Sequence, residues 1–288
     1  MTGARAAGRP AVHRPAAVVT APPSARGRAR VAVCAGPTTC KGGRVEIRWL
    51  TVFLDVPADD AAVVERFWPA VTGASLSARR GPDGEFATLV PREGDAYLRV
   101  QRVRDGGGGC HLDLHVDDPA AGADRAVALG AVERFRDDRL VVLDSPGGFA
   151  FCFVGWHGEA TVPPPGPARL DQLCLDAPAA AFDAECAFWA ALTGWDLGAG
   201  ALPEFRYLER PAGIAVRLLL QRRAVSGDGD RVTAHVDFAC TDRTGVTARH
   251  IEAGAVVAGS GPRWTTLRDP SGRLYCLTDR DPRTGRLP

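Results

Sequence analysis

Apolar and mixed positions alternate from Thr51 to Val56, the period-two pattern of a half-buried strand. From Asp59 to Val71 the apolar residues fall at helical spacing instead, and the pattern stops at Gly73, a residue suited to the position just past a helix end. Strand patterns follow over 86–90 and 97–103. After the glycines at 106–109 the series restarts, with a strand over 111–116, a helix over 120–129 closed by Gly130, and strands over 140–143 and 149–154. Each half of the chain thus predicts two strand–helix–strands units, an α+β arrangement.

The second half repeats the first. Leu54-Asp55-Val56-Pro57, Phe67-Trp68 and Val71-Thr72-Gly73 return as Leu175-Asp176-Ala177-Pro178, Phe188-Trp189 and Leu192-Thr193-Gly194, each 121 positions later. His111-Leu112-Asp113-Leu114 matches His235-Val236-Asp237-Phe238, and Pro146, Gly148 and Cys152 match Pro270, Gly272 and Cys276, all at 124. The pattern predicts domains over 46–157 and 169–280, a stiff proline-rich linker over 158–168 and a tail over 281–288. Residues 1–45 have no hydrophobic period and read as a disordered extension.

Composition narrows the function. The extension holds eight basic residues and no acid, whereas the body holds 27 basic against 34 acidic groups, a net charge of −7. An acidic body argues against a nucleic-acid partner, and no apolar run reaches the ~18 residues of a membrane span. Eight cysteines without a CxxC pair or a secretory leader fit reduced thiols in a cytoplasm. The expected partner is a small molecule, with the oligomeric state left open.

A strand ending in Asp-x-Pro, a helix with Phe-Trp and Thr-Gly, then His-x-Asp, a Pro-x-Gly turn and a final strand resemble the vicinal oxygen chelate superfamily. The likeness is to its glyoxalase-like and bleomycin-resistance-like members. The resemblance implies βαβββ units in pairs, each pair curling into a cupped mixed sheet with helices outside and a small-molecule site inside, often over a divalent metal. The positions that hold metal in such proteins are Thr51, Gln101, His111 and Cys152 in the first half, and Gln172, Gln221, His235 and Cys276 in the second.

Residues two apart on a strand share a face, so His111 and Asp113 point one way and Leu112, Leu114 and Val116 the other; His235 and Asp237 repeat this. Each His–Asp pair suits a general base or substrate anchor, and equally a buried polar pair that lines the cavity. His115 has only Ala239 as counterpart and stands apart. Thr51, Gln101, Cys152, Gln172, Gln221, Trp264 and Cys276 are the expected substrate contacts, while Trp68 and Trp189 belong to the core. One histidine per cup, with neutral amides beside it and each Asp about 7 Å along the strand, predicts no bound metal or other cofactor. Two functions stay open: a metal-independent lyase or isomerase, and a non-catalytic protein that sequesters a drug or metabolite.

Overall fold

The computed structural model describes residues 45–104, 106–223 and 231–288. The extension expected at the N-terminus lies outside them up to residue 44. In the first half, strand β1 (Trp49–Pro57) leads into helix α1 (Ala61–Thr72) and strands β2 (Ser75–Leu76), β3 (Phe86–Val90) and β4 (Leu98–Val103). The second unit runs β5 (Gly109–Val116), α2 (Pro119–Ala128), β6 (Val132–Arg136), β7 (Leu140–Asp144) and β8 (Ala150–Gly155). The other half repeats it as β9 (Ala168–Pro178), α3 (Phe182–Thr193), β10 (Leu197–Ala199), β11 (Phe205–Leu208) and β12 (Arg217–Arg223), then β13 (Thr233–Cys240), α4 (Arg243–Glu252), β14 (Val256–Gly261), β15 (Trp264–Arg268) and β16 (Leu274–Thr278).

Local chemistry sets the helix ends. α1 and α3 both stop where glycine takes the left-handed conformation, Gly73 at φ 68° and Gly194 at φ 67°. α2 and α4 begin on aspartates: Asp118 accepts from Ala121 N at 2.9 Å and Asp242 from Gly245 N at 3.0 Å. No helix among the described residues is long and apolar enough to cross a membrane.

Each half forms one eight-stranded mixed, cupped sheet, ordered β2-β3-β4-β1-β5-β8-β7-β6 and β10-β11-β12-β9-β13-β16-β15-β14. The first strands of the two units lie side by side at the centre, β1 antiparallel to β5 and parallel to β4, with β5 parallel to β8. Leu50, Val52, Leu54 and Val56 fill the convex side and are at most 1% exposed. Thr51, Phe53 and Asp55 therefore face the concave side, and the same alternation holds in β5, in β13 and, beyond a bulge at Asp171, in β9 from Gln172 on.

The helices cover the convex faces, but two of them are shared. Phe67 and Trp68 of α1 pack on Phe238 and Tyr275 of the other half, where Trp68 Nε1 donates to Asp269 Oδ2 at 3.1 Å. Phe188 and Trp189 of α3 pack on Phe149 and Phe151 in return. Buried α3 Glu185 accepts from Ser145 Oγ at 2.8 Å and Gly147 N at 2.5 Å. The buried apolar residues of both halves consequently form one continuous core, with Trp68 and Trp189 fully enclosed in it. The six described cysteines, all buried, are unpaired.

Candidate functional site

On the concave face of the first sheet, β1 presents Thr51, Phe53 and Asp55, β4 presents Arg99 and Gln101, β5 presents His111, Asp113 and His115, and β8 presents Cys152. His111 Nδ1 donates to the Asp55 carboxylate at 2.8 Å, while its Nε2 lies 3.9 Å from Asp113 Oδ1. The Phe53 ring stacks on the imidazole with centroids 4.3 Å apart. Thr51 is engaged elsewhere, sharing a 2.9 Å hydrogen bond with His115 Nε2. Gln101 stands beside Asp55 on the neighbouring strand.

The second cup repeats the centre of this arrangement. His235 Nδ1 donates to Asp176 Oδ2 at 2.6 Å and its Nε2 approaches Asp237 Oδ1 to 3.4 Å. Gln172 donates its amide to Asp237 Oδ2 and accepts Arg217 Nε at 2.5 Å. Gln221 accepts the Cys174 thiol at 3.7 Å, and Cys276 meets the Thr266 hydroxyl at 3.4 Å. Trp264 lies apart, near the tip of the β14–β15 hairpin with its ring against Gly261.

The carboxylate that holds each imidazole is thus Asp55 or Asp176, from the neighbouring strand, while Asp113 and Asp237 approach the opposite ring nitrogen. Asp55 lies diagonally across the antiparallel β1–β5 ladder from His111, well placed for side-chain contact. Both aspartates had been visible only as part of a repeated Asp-x-Pro. Their place on the concave face follows from strand alternation, but their partner depends on a pairing that one strand cannot reveal.

Burial disfavours the charged ring of His111, yet the carboxylates of Asp55 and Asp113 outweigh it and raise its pKa above the ordinary value. Desolvation opposes the charged ring of half-buried His235 too, but the Cys174, Asp237 and Asp176 side chains raise its pKa well above the ordinary value. The flanking carboxyls differ. Burial pushes Asp113 up against the pull of His111 and Arg99. Asp237 also pays for burial, but His235, Arg280 and Gln172 hold it below the usual range. Burial pushes the thiols of Cys152 and Cys276 up, with Asp113 and Asp237 adding to it. His115, buried, is pushed down to about 4.

His111, Asp113 and Cys152 bring one donor atom each to within 4.8 Å of one another, as do His235, Asp237 and Cys276. The along-strand distance between histidine and aspartate therefore does not keep their side chains apart, because both lean into the cup. Imidazole, carboxylate and thiolate are three protein ligands of the kind that hold zinc, so the donor set fits such an ion. A pocket of about 370 Å³ is lined by His235, Asp176 and the seam residues Pro57, Gly108 and Arg273. A cavity of about 540 Å³ under the prolines at 163–165 touches neither His–Asp cluster.

The family model of the glyoxalase-like domain matches residues 51–154 and again 172–278. The chain belongs to the glyoxalase-like domain family. Among solved structures this glyoxalase-like chain is similar to a variant of homoprotocatechuate 2,3-dioxygenase from B. fuscum in complex with HPCA, at 15% identity and TM-score 0.59, covering 84% of this chain and 73% of that one. It is also similar to a mutant of 4-hydroxymandelate synthase from Streptomyces coelicolor, at 16% identity and TM-score 0.56, covering 81% and 92%. A xylose isomerase-like TIM barrel/4-hydroxyphenylpyruvate dioxygenase fusion protein aligns at 15% identity and TM-score 0.57, over 82% of this chain and 49% of the fusion, so the chain spans about half of that protein. These likenesses establish the fold. A search of curated proteins finds no match to the chain.

Proposed function

We propose that this glyoxalase-like chain binds a small organic molecule in its cups and moves a proton on it, as a lyase or isomerase does, with His111 and His235 as the transferring groups. The observation that supports this is the carboxylate held against Nδ1 of each imidazole, Asp55 at 2.8 Å and Asp176 at 2.6 Å. It fixes the ring, directs Nε2 toward the cup and favours the charged imidazole. A charged imidazole donates through Nε2 to a carbonyl oxygen, and an adjacent carboxylate takes a proton from the neighbouring carbon. Asp237, held ionised, has the better charge state for that second role.

A second reading is favoured by the convergence of His235, Asp237 and Cys276, with Asp237 Oδ1 buried and without a hydrogen-bond partner. These residues, and His111, Asp113 and Cys152 in the first cup, would hold a zinc-type ion. When bound, such an ion polarises a substrate carbonyl.

The test is exchange of α-protons into deuterium oxide, followed by NMR, for a panel of small α-hydroxy ketones and aldehydes with chelator present. Exchange is expected with the native chain and should fall by about 10²-fold or more when His111→Gln and His235→Gln are combined, each single variant losing the share of its own cup. Compounds that raise the melting temperature without exchange would identify a sequestering protein instead. Exchange that chelator abolishes would favour the metal reading.

A further inference from the structure

One row of the first cup is chemically unlike its counterpart. Strand pairing sets Thr88, Arg99, Phe53 and His111 side by side from the sheet edge to its centre. Arg80 extends the row outward, its guanidinium donating to Thr88 Oγ1 at 2.8 Å. The Arg99 guanidinium lies over the Phe53 ring, 5.6 Å from its centroid. Its Nε is buried with no hydrogen-bond partner, and among the described residues neither Arg80 nor Arg99 has a carboxylate at salt-bridge distance. Partial desolvation lowers the pKa of Arg80, and the nearby Arg99 guanidinium lowers it further. Asp113, farther off, is the carboxylate that feels Arg99.

The equivalent row of the second cup reads Tyr207, Leu219, Cys174 and His235, with no cation before the histidine. The Arg217 guanidinium, which reaches over the Tyr207 ring from the next row at 5.3 Å, is instead tied by its Nε to Gln172, which in turn bonds Asp237. Arg99, with its Nε buried and no acidic partner, carries an uncompensated cost, which an incoming anion removes through charge-assisted hydrogen bonds, with the exposed Arg80 beside it as a second donor.

We propose that the first cup takes an organic anion whose carboxylate or phosphate is held by Arg99 and Arg80 while its planar body lies along the row toward His111. Arg99 and His111 flank β1, so their strands are two sheet spacings apart, about 10 Å. A ligand that meets both carries its anionic group and a polar oxygen at opposite ends of a body the size of one aromatic ring. The two cups then have different ligands. Anion binding stands on the row itself and rests on the proton-transfer reading only for which end of the ligand reacts.

The experiment is a thermal-shift titration of the full chain with 4-hydroxybenzoate, with 4-hydroxyphenyl phosphate and with neutral 4-hydroxybenzamide, backed by calorimetry. At about 10 mM at least one anion is expected to raise the Tm by a few degrees while the amide does not, and whichever anion acts identifies the headgroup. Arg99→Met keeps the stem over Phe53 and should weaken anion binding roughly tenfold or more with the apo Tm little changed. Arg217→Met should leave it intact. An amide as effective as the anions, no shift with either anion, an unaffected Arg99→Met or a loss confined to Arg217→Met would each overturn the proposal. Anion binding without proton exchange would sink the catalytic reading and leave this one standing.

Discussion

Replacing Trp68 by alanine tests whether the halves are one folding unit. Trp68 belongs to the first half, yet its ring stacks on Phe238 and meets Tyr275, and its indole N–H donates to Asp269 in the second. Truncating a fully buried tryptophan costs about 3–5 kcal/mol, and stripping a buried carboxylate oxygen of its donor adds about 1 kcal/mol or more. At 2–4 °C per kcal/mol for a chain of this size, the Tm should fall by roughly 10 °C or more. Scanning calorimetry is expected to give one transition for the native chain and for Trp68→Ala. Hydrogen exchange read by mass spectrometry should locate the weakening in β13 and β16 as well as in α1. Trp68→Phe separates the contributions, since it keeps an aromatic ring and removes only the donor, at about 1–2 kcal/mol plus a small packing loss. Two separate transitions, with Trp68→Ala moving only the one that carries β1 to β8, would refute the shared core.

Two further outcomes follow from buried groups. His250 is enclosed, shares a 3.0 Å hydrogen bond with the Tyr275 hydroxyl and is pushed down to about 4 by burial, with Arg249 adding to it. The unfolded chain binds that proton near the ordinary value of about 6.5 and the folded chain only near 4, so stability is complete above 6.5 and falls as pH drops toward 4, by up to about 3 kcal/mol. Urea midpoints from pH 7 to 4 should show a shallower loss in His250→Gln, and an unchanged slope would count against it. Protein purified without chelator is expected to carry well under one equivalent of metal; stoichiometric zinc by elemental analysis, lost in Cys276→Ser, would displace proton transfer by histidine alone.

What the sequence exposed was whatever lies within one element. The alternation in β1 and β5 put His111 and Asp113 opposite a continuous apolar stripe, and Gly73 and Gly130 marked two helix ends. Edge strand β6 was missed because it has no buried face to impose a period: four of its five residues are exposed. Asp55 and Asp176 were hidden for another reason, since their role depends on which strand lies alongside and in what register. Arg99 looked like one of many arginines until the rows of the sheet were assembled. The exchanged packing of α1 and α3 was beyond reach, because Phe-Trp reads as core whichever half supplies the other wall.

That exchange has a bearing on how such a chain arose and how it can be cut. A single half, expressed alone, would leave bare the aromatic convex patch that the other half's helix covers, and exposed apolar patches favour association. Two copies of one half could cover each other by the same reciprocal contact, a two-fold dimer. Joining them through the segment from Gly158 to Pro167 turns that encounter into an intramolecular one, with an effective concentration in the millimolar range set by a short tether. Freed from dilution, the pair no longer needs identical subunits. Mutations such as Arg99 opposite Leu219 can then accumulate on one side only, which is how a symmetric ancestor acquires two unlike cups.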